Sequence, residues 1–117
     1  MAAAKSSTAI FRHVRIAPNK MRAVVNLVRG KPVEQALDLL RYCPRSGATN
    51  VLKLIKSAVA NADQQGGVDV DRLMVREIRV DEGPRGRRQR ARSRGMAVVV
   101  IRRTSHVSVQ LVERTSK

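Results

Sequence analysis

The segment that most limits what this chain can build is Gly83-Pro84-Arg85-Gly86-Arg87-Arg88-Gln89-Arg90-Ala91-Arg92-Ser93-Arg94-Gly95. It holds six arginines in thirteen residues and no Val, Ile, Leu, Met or aromatic side chain. Nothing in it can supply core, so it lies outside any core. Two strand-like runs bracket it. Leu73 to Val80 is rich in Val, Ile, Leu and Met without helical spacing, and Ala97 to Ile101 is β-branched. The second run continues with Val107, Val109 and Leu111 alternating with His106, Ser108 and Gln110, the period-two signature of a strand with one buried face. If the runs pair, they form a long hairpin over about 80–103, with its arginine-rich tip at 85–95. An arm from Val80 to Arg90 reaches roughly 33 Å at about 3.3 Å per residue. A domain of 100 residues has a radius of gyration of only ~13 Å. The tip therefore projects, or is loose.

Upstream of the hairpin the pattern is mainly helical. Residues 1–7 are small and polar and read as a flexible tail; residues 8–117 read as a single domain. Thr8 to Ile16 reads as a strand, with Ile10, Val14 and Ile16 on one face and Phe11, His13 and Arg15 on the other. Pro18 suits a first helical position, and Met21, Val24, Val25 and Val28 follow on one helix face, closed by Gly30. Pro32 opens a second helix, with Val33, Ala36, Leu37 and Leu40 on its stripe, and Pro44 stops it. A third runs from about Ser46 to Gly66-Gly67, its stripe being Ala48, Val51, Leu52, Ile55, Val59 and Ala62. The small residues of Ser57-Ala58-Val59-Ala60-Asn61-Ala62 predict close approach of another backbone deep in the domain.

The charge is divided along the chain. Of the net +15, residues 1–33 carry +7 with no acid at all, residues 34–82 carry −1, and residues 83–117 carry +9. Two basic regions around a neutral middle read as binding surfaces on a folded scaffold, and their partner is a polyanion. With only Phe11 and Tyr42 as aromatics, a base-stacking sheet platform is excluded. A single cysteine, Cys43, makes neither an intramolecular disulfide nor a cysteine-rich zinc site, which suits a reducing compartment. No run approaches the ~20 apolar residues of a membrane span, and no signal-type apolar segment opens the chain. The expectation is a soluble, basic domain without cofactor, metal, membrane or small-molecule substrate.

Arginine exceeds lysine by six to none in the tip, and guanidinium forks onto phosphate and stacks on bases. A thin basic hairpin that can thread folded RNA favours RNA over DNA, since no readable recognition helix is evident. Candidate RNA contacts on the globular part are Arg12, Arg15, Lys20, Arg22, Arg29 and Lys31. Those on the hairpin are Arg85, Arg87, Arg88, Arg90, Arg92, Arg94 and Gly95, with Arg102, Arg103 and His106 on the returning strand. The two histidines and the acidic dipeptide offer other readings. His13 and His106 could act as acid and base on a phosphodiester, but neither sits in a nucleophile or base motif. Asp81-Glu82 could be a catalytic or metal-binding pair, but adjacent strand residues point to opposite faces, which favours pairing with arginine. A free RNA chaperone or nucleoid protein is the rival binding module.

Four motifs together resemble one family. Arg22-Ala-Val-Val-Asn-Leu-Val-Arg29-Gly30-Lys31 resembles the first-helix signature of the large-subunit ribosomal protein L twenty-two family, bacterial type. Ser57 to Ala62 resembles its third-helix motif, Val80-Asp81-Glu82-Gly83-Pro84 the start of its hairpin, and Arg103-Thr104-Ser105-His106 the return strand. The likeness covers about residues 10–113. It implies an α+β domain, three helices packed on a small three-stranded antiparallel sheet with a long protruding β-hairpin. It also implies a structural, non-enzymatic role in the large subunit. The globular part would bind 23S-type ribosomal RNA near the tunnel mouth and support subunit assembly. The hairpin would line the nascent-peptide exit tunnel, beside ribosomal protein L four and the nascent polypeptide. The implied location is the ribosome, cytoplasmic or organellar. The tip departs from the family pattern in lacking its proline and bulky apolar residues, with arginines in their place.

Overall fold

The structure, a computed structural model, describes residues 6–66 and 69–113. Its elements in chain order are strand β1 (Ser6–Val14), helices α1 (Pro18–Val28), α2 (Val33–Arg41) and α3 (Ala48–Gln65), strand β2 (Leu73–Ala91) and strand β3 (Ala97–Glu113). A 3-10 turn over Val70–Arg72, capped by the Asp69 carboxylate accepting from the Asp71 amide, leads into β2. The three strands form one antiparallel sheet in the order β1-β3-β2. This is the α+β architecture that the sequence implied. Among the described residues, no helix is long and apolar enough to cross a membrane.

The helices cover one face of the sheet. Met21, Val24, Val25 and Val28 of α1 are all fully buried, as their spacing predicts. Against them lie Val75, Ile78 and Val80 of β2 and Val107, Val109 and Leu111 of β3. Gly30 takes φ +76°, a conformation that costs glycine little. It turns the chain so that the Gly30 amide donates to the Val75 carbonyl at 3.1 Å, and the Val75 amide to the Lys31 carbonyl at 3.0 Å. The α1–α2 connection is thereby bonded to β2.

Two stripes differ from expectation. In β1 the buried residues are Ser7, Ala9 and Val14, whereas Ile10 is 58 % exposed. The register shifts between Phe11 and Val14, where His13 takes φ +61°. Such a bulge reverses the in–out parity: Phe11 packs against the core from one side of it and Val14 rejoins the core on the other. The strand also begins at Ser6, two residues earlier than expected; residues 1–5 of the expected tail lie outside the described residues, as does Gly67. In α3 the inner stripe is Ala48, Val51, Leu54, Ile55, Ala58 and Ala62, with Leu52 and Val59 only partly buried. The helix is rotated so that its small residues meet β1. The Ser7 hydroxyl donates to the Ala58 carbonyl at 2.9 Å, an approach that a larger side chain at this turn would block.

The arginine-rich segment is mostly strand, not loop. β2 and β3 pair continuously from Arg85↔Arg103 to Ala91↔Ala97, and only residues 92–96 turn. The turn closes through the Arg92 amide and Met96 carbonyl at 2.6 Å, with Arg94 and Gly95 at φ +62° and +71°. Two paired strands satisfy each other's backbone groups without a core, which a disordered loop could not do. The core ends at Val80 and Ser105, so Ala97 to Ile101 is ribbon and contributes no core. The molecule measures 67 × 27 × 20 Å, and its radius of gyration of 17.7 Å reflects this projection.

Candidate nucleic-acid interface

The root of the hairpin is a fixed joint. Glu82 pairs with Ser105 and Arg85 with Arg103, so Gly83 and Pro84 together face Thr104. The bulge accommodates a proline within a strand. A Cβ on Gly83 would stand 2.5 Å from the Thr104 Oγ1 and 3.3 Å from the Thr104 carbonyl carbon. Only glycine admits that approach, and it lets the Thr104 hydroxyl donate to the Pro84 carbonyl at 2.7 Å. Glu82 accepts from the Arg85 Nε at 2.6 Å and forms an ion pair with its Nη2. This is the arginine pairing expected for the acidic dipeptide, made here by Glu82. On the other side of β3, the His13 amide donates to the His106 Nδ1 at 3.1 Å, and the two rings meet edge to face with centroids 5.0 Å apart. His106 thus secures the β1 bulge beside the root.

Between this root and the start of α1 runs an open groove of about 690 Å³. Arg15, Ile16, Ala17 and Lys20 form one wall, Gly86, Arg88, Ile101, Arg102, Arg103 and Thr104 the other, and Ser46 the end. Five cationic side chains line it and no acid does. Two other cavities, of about 230 and 260 Å³, each contain carboxylates: Glu77 in the first, Glu34 and Asp71 in the second. Of these three cavities the 690 Å³ groove alone is free of acid, which makes it the candidate anion site. Arg15, Lys20, Arg102 and Arg103 make no side-chain hydrogen bond or ion pair among the described residues. Their donors face solvent, ready for an external acceptor.

The sequence candidates fall into three groups. Arg15, Lys20, Arg88, Arg102 and Arg103 converge on the groove, although the residues from β1–α1 and those from the hairpin are 68 or more positions apart. Arg22 and Arg29 are engaged within the chain. Arg22 donates to the Val80 carbonyl at 3.2 Å and to Asn19 Oδ1 at 3.2 Å; Arg29 donates to the Ile78 carbonyl and to Asn26 Oδ1, both at 2.9 Å. The third group is spread along the ribbon. Cross-strand partners share a face, so Arg85, Arg87 and Arg103 lie on one face and Arg88, Arg90 and Arg102 on the other. Arg92, Arg94 and Gly95 form the turn. Arg12 lies exposed in the β1 bulge, and Lys31 is half-buried in the α1–α2 connection. Arg85 directly opposite Arg103 is a repulsive pair in isolation, relieved by Glu82 and by any bound anion. Sequence reasoning missed Ser46, Ile16, Thr104 and Gly86 as groove walls, since none carries a charge that would mark it.

Comparison with known proteins decides the family. The family pattern of Ribosomal protein L22p/L17e matches residues 9–112. The chain belongs to this family. Among similar curated proteins, the large ribosomal subunit protein uL22 of Caldicellulosiruptor saccharolyticus is 44 % identical over 110 residues, covering 94 % of this chain and 90 % of that one. The uL22 proteins of Maridesulfovibrio salexigens and Syntrophotalea carbinolica are each 47 % identical, over 105 and 104 residues. They cover 90 % and 89 % of this chain and 96 % and 94 % of their own. The L22 match runs through both walls of the groove and the whole hairpin, so the interface lies inside the family region.

Proposed function

We propose that this L22-family chain is a structural, non-catalytic constituent of the large ribosomal subunit that binds 23S-type ribosomal RNA through the groove and the ribbon. The observation that carries this reading is the acid-free groove, which joins the globular part to the arginine hairpin in one continuous cationic surface. A phosphate backbone is the ligand that such a row of unpaired donors fits. The globular part then anchors RNA while the ribbon reaches between RNA segments during assembly. Its tip lines the nascent-peptide exit tunnel, near ribosomal protein L four, on a cytoplasmic ribosome.

The test is binding of the purified protein to 23S-type RNA over a range of salt. Each neutralised phosphate contributes about 0.7–0.9 to the slope of log affinity against log salt. Replacing Arg15, Lys20 and Arg102 by Ala is expected to lower that slope by about 2–3. An unchanged slope would place the RNA elsewhere and overturn the groove as the interface.

A further inference from the structure

In the body of the sheet, side chains from the helices reach both outer edges. Along β1, Asn61 and Gln65 of α3 donate to the Thr8 and Ser6 carbonyls at 3.0 and 3.2 Å. Along β2, Arg29 at the C-cap of α1 and Arg22 within it occupy the Ile78 and Val80 carbonyls. The β2 arm of the ribbon is protected differently, by the charges of Arg85, Arg87, Arg88 and Arg90. The β3 arm has neither protection. β1 ends opposite Ser105, so beyond that point β3 is an outer edge. From Met96 to Ile101 it carries no charge and no proline. Val99 is 59 % exposed and Ile101 45 %. Strand propensity alone does not require this, because threonine would serve a solvated ribbon as well.

We propose that the open edge of β3 over Val98–Ile101 is a docking edge for an extended polypeptide segment with an apolar centre and acidic ends, which adds to the ribbon as a third strand. The hydrogen-bond phase is set by the Arg92–Met96 bond. Antiparallel alternation from that pair turns the N–H and C=O of Val99 and Ile101 outward, where they can bond an incoming strand. The side chains of Val98 to Ile101 give it an apolar bed on both faces. Arg94 stands at one end of the edge and Arg102 and Arg103 at the other, so carboxylates flanking the apolar centre are paired at both ends. A second copy of this chain fits badly, because its own arginines would meet these. RNA fits this edge badly too: phosphate gains nothing from four β-branched side chains. The ribbon thus has two chemically different edges, an arginine edge for RNA and an aliphatic edge for protein.

The probe is a short synthetic peptide with an alternating Val-Thr centre and two Glu at each end, added to the intact free protein. Binding is read by fluorescence anisotropy and by amide hydrogen exchange. The expected result is new protection at the Val99 and Ile101 amides. Val99→Pro removes an outward N–H without breaking the β2–β3 ladder, and is expected to weaken peptide binding about tenfold, the scale of one lost hydrogen bond. Val99→Thr, which keeps the edge, is expected to leave affinity nearly unchanged. RNA affinity should be the same in both variants. Equal binding of a peptide with its Glu and Val scrambled, or protection confined to other amides, would overturn the proposal. So would self-association of the free protein or RNA protection of the same two amides, since each would name a different occupant.

Discussion

The Arg29 guanidinium donates to the Ile78 carbonyl, and seven residues earlier in α1 the Arg22 guanidinium donates to the Val80 carbonyl. Two helix turns on α1 match a two-residue step on β2, so the same basic face that the sequence offers to RNA also fastens the hairpin strand to the body. Charge-assisted bonds to partly buried carbonyls contribute about 1.5–3 kcal/mol each.

Arg29→Met should therefore act on stability rather than on RNA. The expected loss is about 1.5–3 kcal/mol by denaturant titration, with the salt slope of RNA binding essentially unchanged. Arg15→Ala should do the reverse, changing stability little and the slope by about 0.7–0.9.

Gly83→Ala should strain the hairpin root, because the new methyl group meets the Thr104 hydroxyl. A destabilisation of about 1–3 kcal/mol is expected. The double variant Gly83→Ala with Thr104→Ala removes the obstructing oxygen and should recover part of it. If the single variant were neutral in thermal unfolding, the joint would be looser than the packing indicates.

Replacing residues 85–103 by a short turn should leave the thermal midpoint nearly unchanged, because the core ends at Val80 and Ser105. RNA affinity should fall sharply, since the ribbon carries eight of the arginines. Both strands must go together: shortening one arm alone leaves the other without its ladder partner.

His13→Asn should be neutral or stabilising, as asparagine accepts positive φ more readily than most residues. His106→Ala should cost about 1 kcal/mol by removing the acceptor of the His13 amide. Chemical denaturation of the two variants side by side separates backbone conformation from hydrogen bonding.

Arg90→Ser with Arg92→Ser alters the far ribbon while leaving the groove intact. Subunit assembly should proceed, and pausing of basic or stalling-prone nascent chains should change if these guanidinium groups face the tunnel. Ribosome profiling of matched strains reads both. Unaltered pausing with normal assembly would leave the tip as an RNA anchor only.

Helix α1 was fully legible in the sequence, because one side of it does nothing but pack and its four apolar positions recur at helical spacing. So was the inner face of β3, where Val107, Val109 and Leu111 alternate without interruption. β1 was not, since a bulge at His13 reverses parity and no residue type announces it; Phe11 on the core side was the available hint. The rotation of α3 was hidden for a related reason: Ala58 and Ala62 are buried by what approaches them, not by their own hydrophobicity. The arginine run carried the function plainly but concealed its conformation, because strand pairing draws on backbone groups that composition does not display. For the interface, charge named the right residue types. It could not separate Arg15, free in the groove, from Arg22, held by a carbonyl in the same chain.

The first described residue of the sheet pairs with almost the last: Ser6 lies opposite Val112. The hairpin, by contrast, can zip from its own turn, where partners such as Ala91 and Ala97 are close in sequence. Closing the β1–β3 ladder joins positions 91 to 106 residues apart, and long-range pairing of this kind is slow to form. While the chain is being synthesised, β1 has no strand beside it until β3 emerges, and α3 is the element at hand to cover it. The sheet is therefore completed only once β3 has emerged, by its first and last strands finding each other across the helices.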